Sequence, residues 1–434
     1  MPKAKLVILI AGAFLTLQAQ AVNLLQLYQE ALVNDAVYSS ARANLTAGQE
    51  ASVQGRANLL PLIGISGTYQ HAQRDNVPDI KSRGYTLSLS QPLLDVAAWQ
   101  NYEQSKLSVA ASEATFAIVQ QDLILRVAQA YFDVLAAQDT LAALLVQKDA
   151  ISEQLASAKR NFEVGTATIT DTHEAQARYD LVIAQEFGAQ NDLAIKRTAL
   201  QQIIGKAPGE LATLRTGVEL SAPEPAQINA WVSSAEEQNY VVLQQKLALE
   251  IAKREITRNR AGHYPTVDLV ASRSDSNQRN SAIPSLNSGT GATSAIGLQW
   301  NIPLFSGFAV TSRVRQAIAL EDKSRSDLES ARRFAAQNAQ QAYLGVTSGL
   351  AQVKALQAAE VSSRSALESN RLGYQVGVRI NIDVLNAQQQ LFITQRDLSK
   401  ARYDTLMNSL RLKSAAGALR EQDLVQINTL LIQP

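Results

Sequence analysis

Two stretches of the chain, Leu93–Ala207 and Leu304–Gln433, contain no proline, and each is broken near its middle by the same punctuation, an aromatic-x-Val-Gly signature followed six residues later by aspartate. In the first stretch this reads Phe162-Glu163-Val164-Gly165 and then Asp171; in the second, Tyr374-Gln375-Val376-Gly377 and then Asp383. The offset, 383 − 171 = 212, also places Gln129-Ala130-Tyr131 on Gln341-Ala342-Tyr343, Leu200 on Leu412 and Gly205 on Gly417. An insertion within either copy would rotate its helix faces out of phase, so a register held this long predicts a tandem duplication of a long helical hairpin.

The amino terminus reads as a leader. Lys3 and Lys5 precede an apolar run from Leu6 to Leu17, and Ala19-Gln20-Ala21 has the small-x-small form of a signal-peptidase site. About a dozen apolar residues fall short of the roughly 20 needed for a spanning helix. The expected division is therefore a signal peptide over residues 1–21, a first repeat over 22–222 and a second over 223–434.

Composition excludes most chemistry. The chain has no cysteine, which removes thiolate metal sites, cysteine nucleophiles, disulfides and lipidation of an amino-terminal cysteine. Its three histidines, His71, His173 and His263, have no second ligand at metal spacing, and no phosphate-cradling glycine loop or Gly-x-Ser-x-Gly is present. No enzyme, no metal and no cofactor are expected. Charged residues make up 18% with a net charge of +1, which gives no electrostatic case for nucleic acid.

A helical stretch is expected from Leu24 to about Leu59. After Pro61, Ile63, Ile65, Gly67 and Tyr69 alternate with Gly64, Ser66, Thr68 and Gln70; beyond a polar loop through Asp75, Asn76, Pro78 and Asp79, Tyr85, Leu87 and Leu89 alternate with Thr86, Ser88 and Ser90. The pair predicts a long-looped β-hairpin. A second one follows: Val267, Leu269 and Ala271, a Ser/Asn/Gly-rich loop over about Ser274–Ser294, then Ile296, Leu298, Trp300 and Ile302. Strands of about ten residues with one apolar face suit a transmembrane barrel, and suit two soluble hairpins as well.

Uninterrupted helices are expected over Ala98–Val164 and Phe308–Val376, each on the order of 100 Å long. Leu123, Val127, Tyr131, Val134, Leu141 and Leu145 form their apolar stripe, flanked by alanines that permit packing on more than one side. Gly165 and Gly377 suit left-handed helix ends, and Asp171 and Asp383 suit caps of return helices over Asp171–Ile204 and Asp383–Ala416. The return arms stop halfway, so a collar of short elements is expected near Gly205–Pro208 and the Pro223/Pro225 link.

The chain resembles the TolC family of outer-membrane channel proteins. The likeness is carried by Leu24-Leu25-Gln26-Leu27-Tyr28-Gln29, the two strand pairs, Ala130-Tyr131-Phe132-Asp133-Val134-Leu135, both Val-Gly turns, Ala401-Arg402-Tyr403-Asp404 and Gly417-Ala418-Leu419-Arg420-Glu421-Gln422-Asp423-Leu424. The resemblance implies an α+β membrane protein, a homotrimer with one 12-stranded β-barrel continued by a 12-helix α-barrel. Four strands cannot close a barrel in lipid, so chains must pool them; the number three comes from the resemblance.

The resemblance further implies a passive exit duct for efflux or type I secretion in the outer membrane of a diderm bacterium. It would be embedded in outer-membrane lipid and engaged by a periplasmic membrane-fusion adaptor and an inner-membrane transporter of RND or ABC type. It implies a gate made by Thr170, Asp171, Tyr374 and Arg379, and a pore entrance with acidic rings. Asp383 matches the first ring; the second falls on Asn386, a departure that weakens the expected cation selectivity. The competing reading is a periplasmic coiled-coil scaffold without a pore.

Overall fold

A computed structural model describes residues 21–75, 77–215, 217–280 and 289–432; the expected leader, apart from Ala21, lies outside them. Helices α1 (Leu24–Asn34) and α2 (Ala36–Ala57) lead into strands β1 (Leu62–Arg74) and β2 (Val77–Leu94), then α3 (Val96–Glu163) and α4 (Ile169–Ile204). The same order follows again: α5 (Ile228–Gln238), α6 (Tyr240–Arg260), β3 (Thr266–Asn280), β4 (Gly289–Asn301), α7 (Ala309–Gln375) and α8 (Asn381–Ala415), with α9 (Glu421–Asn428) at the end. No helix among the described residues is long and apolar enough to cross a membrane, which says nothing of the strands.

The helical stretch expected from Leu24 to about Leu59 is broken after α1, and the second half carries a like break between α5 and α6. Asp35 has extended backbone angles and its carboxylate accepts the Tyr38 N–H at 2.7 Å; Asn239 takes the same role between α5 and α6, accepting from Val241 at 2.9 Å. A side chain that satisfies an orphan N–H of the next helix ends the previous one. The two caps are 239 − 35 = 204 residues apart, whereas the α3 and α7 C-caps are 376 − 164 = 212 apart. The second half is therefore eight residues longer over this interval.

The hairpin loops are shorter than expected. β2 already begins at Val77, and β3 and β4 pair from Thr266↔Asn301 to Gln278↔Gly289, so most of the Ser274–Ser294 segment is strand. Ladder bonds are made by the backbone, and hydroxyl side chains can sit on a polar face; Thr86 Oγ1 donates to Ser274 Oγ at 3.1 Å. The four strands form one antiparallel sheet in the order β1-β2-β3-β4.

α3 and α7 have 68 and 67 residues, about 100 Å each, while α4 and α8 have 36 and 35 and run beside only half of that length. Where the return helices stop, the short helices begin. Gly205 is left-handed at φ 77°, and a Cβ there would lie 3.0 Å from Asn34 Cβ; a Cβ on Gly417 would collide with the Gln238 carbonyl. These glycines let the pieces abut end to end, so that they jointly flank the long helices.

The main core sits at this midpoint. Leu24, Leu27, Leu123, Val127, Leu200, Ile204, Leu410 and Leu424 are buried together. Val22 bridges Leu211 and Leu214 bridges Leu431, closing the expected collar. Tyrosines at the matched positions Tyr131 and Tyr343 each donate a 2.5 Å hydrogen bond to the link between the two halves, to the carbonyls of Ala212 and Ala226. Burial pushes the Tyr131 hydroxyl pKa far up.

The α3 stripe departs from expectation in its lower part. Leu123, Val127, Tyr131 and Val134 are buried, but below them the buried face runs through Leu144, Gln147, Ile151, Leu155 and Ala158, while Leu141 is half-buried and Leu145 exposed. Steps of three and four averaging 3.5 mark a coiled-coil seam, which a stripe extrapolated from the collar misses.

Candidate functional site

At the helical tips two turns repeat the same geometry. Gly165 and Gly377 have φ of 77° and 78°, with open space where a Cβ would be, so the left-handed backbone alone favours glycine. Thr166 N–H reaches back to Asn161 O, and Val378 N–H to Gly373 O, both at 2.8 Å. The caps differ from expectation. Asp171 and Asp383 occupy the third helical position and not the cap: α4 is capped by Thr168, whose hydroxyl accepts the Asp171 N–H at 3.3 Å, and α8 starts after Ile380 with no side-chain cap.

Within one chain the four expected gate residues do not meet one another. Asp171 Oδ2 accepts from Thr168 N–H at 2.9 Å and from its hydroxyl at 2.7 Å, in a reciprocal capping box. Thr170 is exposed. The Tyr374 hydroxyl accepts from Asn161 Nδ2 at 3.3 Å. Arg379 lies across Gly373, where a Cβ would stand 2.7 Å from its Cγ, and its Nη1 is 3.6 Å from Asp383 Oδ2.

The two hairpins are joined instead by polar side chains of which the sequence reading names only Asn386. Asn381, fully buried, donates to the Asp171 carbonyl at 3.2 Å and accepts from Gln154 Nε2. Arg178 donates to Asn386 Oδ1 at 2.9 Å, and Gln147 to Gln389 at 2.8 Å. Beneath them Leu144, Ile151, Leu155, Val182, Leu385 and Phe392 pack together, so α8 lies against both α3 and α4. The signal for Asn381 was a broken repeat, since its counterpart at 381 − 212 = 169 is isoleucine.

Asp383 and Asn386 stand one turn apart beside Arg379 in a groove between α7 and α8. The expected entrance therefore holds a carboxylate already partnered by a guanidinium and an amide already partnered by Arg178.

At the other end the sheet has no cover. Every described residue of β4 is exposed, and β1 and β4 are open edges. On one face lie Ile63, Ile65, Tyr69, Tyr85, Leu87, Ile296, Leu298 and Trp300, all exposed; on the other lie Ser66, Ser88, Thr86, Ser274 and Thr293. The apolar band is slanted. Tyr69, its last member on β1, is in register through Arg83 and Asn277 with Thr290, whereas the last on β4 is Ile296, six residues nearer the helices. Six residues are about 20 Å along a strand against about 14 Å across three strand spacings, which levels the band at a strand tilt on the order of 50°.

Aromatic residues gather where the strands meet the helices. Trp99 meets Tyr102 edge-on at 6.2 Å, and Phe305 meets Phe308 at 5.4 Å. Phe308 is left-handed at φ 63°, next to Gly307 at 58°, an unusual backbone for a non-glycine residue that leaves its ring exposed.

Known proteins share this plan. The family model for outer membrane efflux proteins matches residues 27–206 and 231–418. Over 426 residues the chain is 34% identical to outer membrane protein TolC of Escherichia coli (strain K12), which covers 96% of this chain and 86% of that protein. It is 34% identical over 429 residues to the proteases secretion protein PrtF of Dickeya chrysanthemi, covering 94% and 91%. The crystal structure of the Campylobacter jejuni CmeC outer membrane channel has a TM-score of 0.80 at 17% identity, over 94% of this chain and 89% of that one.

Proposed function

Since this chain belongs to the outer membrane efflux protein family, we propose that three copies pool their sheets into one twelve-stranded barrel in the outer membrane, continued by twelve helices as a tunnel through the periplasm. The protein is an outer-membrane channel and not an enzyme: it is an exit duct for efflux and type I secretion. The observation that carries the pooling of copies is the uncovered sheet, while the number three rests on the family resemblance. The exposed apolar face suits lipid, and in lipid each unpaired backbone group costs several kcal/mol, so strands from other copies must close the two open edges.

The tilt that levels the apolar band supports the same reading, because closed barrels need strongly tilted strands. The aromatic cluster at the strand–helix junction suits the periplasmic membrane boundary. The repeated element order supports an ancestral duplication with repeats at 22–222 and 223–434, behind a cleaved leader of residues 1–21. A passive duct has no energy source of its own, so an inner-membrane transporter of RND or ABC type and a periplasmic adaptor would drive it.

The gate reading is placed between chains. Asp171 and Arg379 sit on the tips of different hairpins and their side chains have only local partners among the described residues, so in a trimer Arg379 can reach the Thr170–Asp171 edge of a neighbour, a contact a guanidinium fork suits. Mass in detergent and single-channel conductance in a planar bilayer test the whole reading. A trimer with a discrete conductance is expected. A soluble monomer that leaves the bilayer silent, as a pore-less scaffold would, overturns it.

A further inference from the structure

Beyond the apolar band, the membrane-facing side of the sheet turns basic. Following that face away from the helices, β2 passes Leu89, Leu87 and Tyr85 and then reaches Arg83 and Lys81, while β3 passes Leu269 and Ala271 and then reaches Arg273. Alternation fixes all of them on the face that carries Ile63 and Ile65. Lys81, Arg83 and Arg273 are exposed, and among the described residues none is in an ion pair. The carboxylates on this face are Asp275, which offsets one of the three charges, and Asp79, which lies 3.2 Å from His71 Nε2.

The strand ends joined to helices face the periplasm, so this basic end lies in the leaflet on the far side. The two ends of the band differ in kind: Trp300 ends it on β4 next to the helices, whereas β2 ends its band in Tyr85 followed by Arg83. Cations immediately above an apolar band stand at headgroup depth, where Arg and Lys are attracted to anionic lipid and a guanidinium matches phosphate oxygens in pairs.

We propose that Lys81, Arg83 and Arg273 form a headgroup site that binds the phosphates of lipids in the leaflet facing away from the periplasm. The site rests on the barrel reading above, since only in a closed barrel does this face meet lipid. Three cations against the two carboxylates Asp275 and Asp79 leave each chain a surplus of one positive charge on this face, so three chains would surround the barrel with a basic girdle. The lipid leaflet is the source the geometry favours over free anions, because the cations continue the apolar band and do not line a pocket.

The test uses the assembled full-length protein, with diphosphoryl lipid A and its dephosphorylated form as probes and bound lipid counted by native mass spectrometry. The parent is expected to retain the diphosphorylated form at about tenfold lower concentration than the dephosphorylated one. K81Q/R83Q/R273Q should erase that preference, and the charge-keeping K81R/R83K/R273K should retain it. Equal retention of both probes by the parent, an unchanged preference in the neutral variant, or its loss in the charge-keeping one overturns the site. Displacement of the lipid by millimolar inorganic phosphate would also overturn it, in favour of a free-anion site. Conductance of the same samples separates the two readings: a silent parent removes the barrel and the site with it, whereas a conducting parent without lipid preference removes the site alone.

Discussion

The Asp35 carboxylate, only 3% exposed, accepts hydrogen bonds from both terminal nitrogens of Arg126, at 2.9 and 3.1 Å, which ties the break between α1 and α2 to the middle of α3. The corresponding place in the second half holds amides, Asn239 at the break and Asn338 on α7, and there the Asn239 amide donates to the Ala415 carbonyl at 2.9 Å. One half thus secures its collar with an ion pair and the other with a neutral bond.

Burial pushes the Asp35 pKa up, but the Arg126 bonds and the backbone N–H groups of Tyr38 and Val37 more than offset it and hold it below the ordinary value. A carboxyl depressed in the fold contributes stability that is present above its unfolded pKa, near 3.9, and is lost as pH falls through the lower folded value. Asp35→Asn keeps a capping side chain, so it should cost about 1–2 kcal/mol at neutral pH and flatten the acid limb of the stability curve below about pH 4. Arg126→Leu leaves the buried carboxylate unpaired and should cost more, on the order of 3 kcal/mol. Urea midpoints from pH 3 to 7 decide this; an Asp35→Asn curve parallel to the parent's would remove the ion pair from the account.

Asn381 is the buried junction of the two hairpins, touching Gln154 on α3 and the Asp171 carbonyl on α4. Asn381→Ala should cost about 1–3 kcal/mol locally by leaving those groups unpartnered, and should raise the frequency of spontaneous opening in single-channel records. Asn381→Ile copies the residue of the first half and fills the volume without restoring the bonds, so it should behave as the alanine variant does. Should the isoleucine variant open no more often than the parent, Asn381 contributes packing and not a polar fastening.

Much of this was legible in the sequence, because the repeat constrains it. The offset of 212 located both left-handed glycines, both long helices and both return arms. What escaped notice breaks the repeat or depends on distant partners. Asn381 stands where the other half has isoleucine, and the Asp35 break shows only in a side chain bonding three residues ahead. The strands exceed their expected lengths because serine and asparagine, common in loops, alternate on β3 in register with β4. The lower α3 stripe was missed because its period shortens to 3.5 below the collar.

Asp171 and Arg379 would bear on the proposed gate differently. Asp171→Ala removes a capping-box acceptor as well as any bond between chains, so it should destabilise the tip by about 0.5–2 kcal/mol on its own. Arg379→Ser removes only an exposed guanidinium, and its separate effect should be within about 1 kcal/mol. Together they should enlarge resting conductance beyond either single change, because three latches per trimer would be lost. A double variant that conducts like the parent would reduce these residues to a cap and a local ion pair.

Arg379 would also act on the proposed entrance. Its Nη1 is 3.6 Å from Asp383 Oδ2, so in the proposed trimer a ring of Asp383 side chains would carry guanidinium groups beside it that cancel much of its attraction for cations. Arg379→Gln should therefore raise cation preference, measured as a reversal potential under a salt gradient, and Asp383→Asn should lower it. Asn386→Asp would add three carboxylates, but Asn386 already accepts from Arg178 at 2.9 Å, so each new charge would be met by an arginine. Its gain should accordingly be smaller than that of Arg379→Gln, and Arg178→Gln/Asn386→Asp together should recover the difference. If Asn386→Asp alone outperforms Arg379→Gln, the Arg178 contact does not persist in the conducting channel, and the entrance charge is set by the carboxylates without their neighbours.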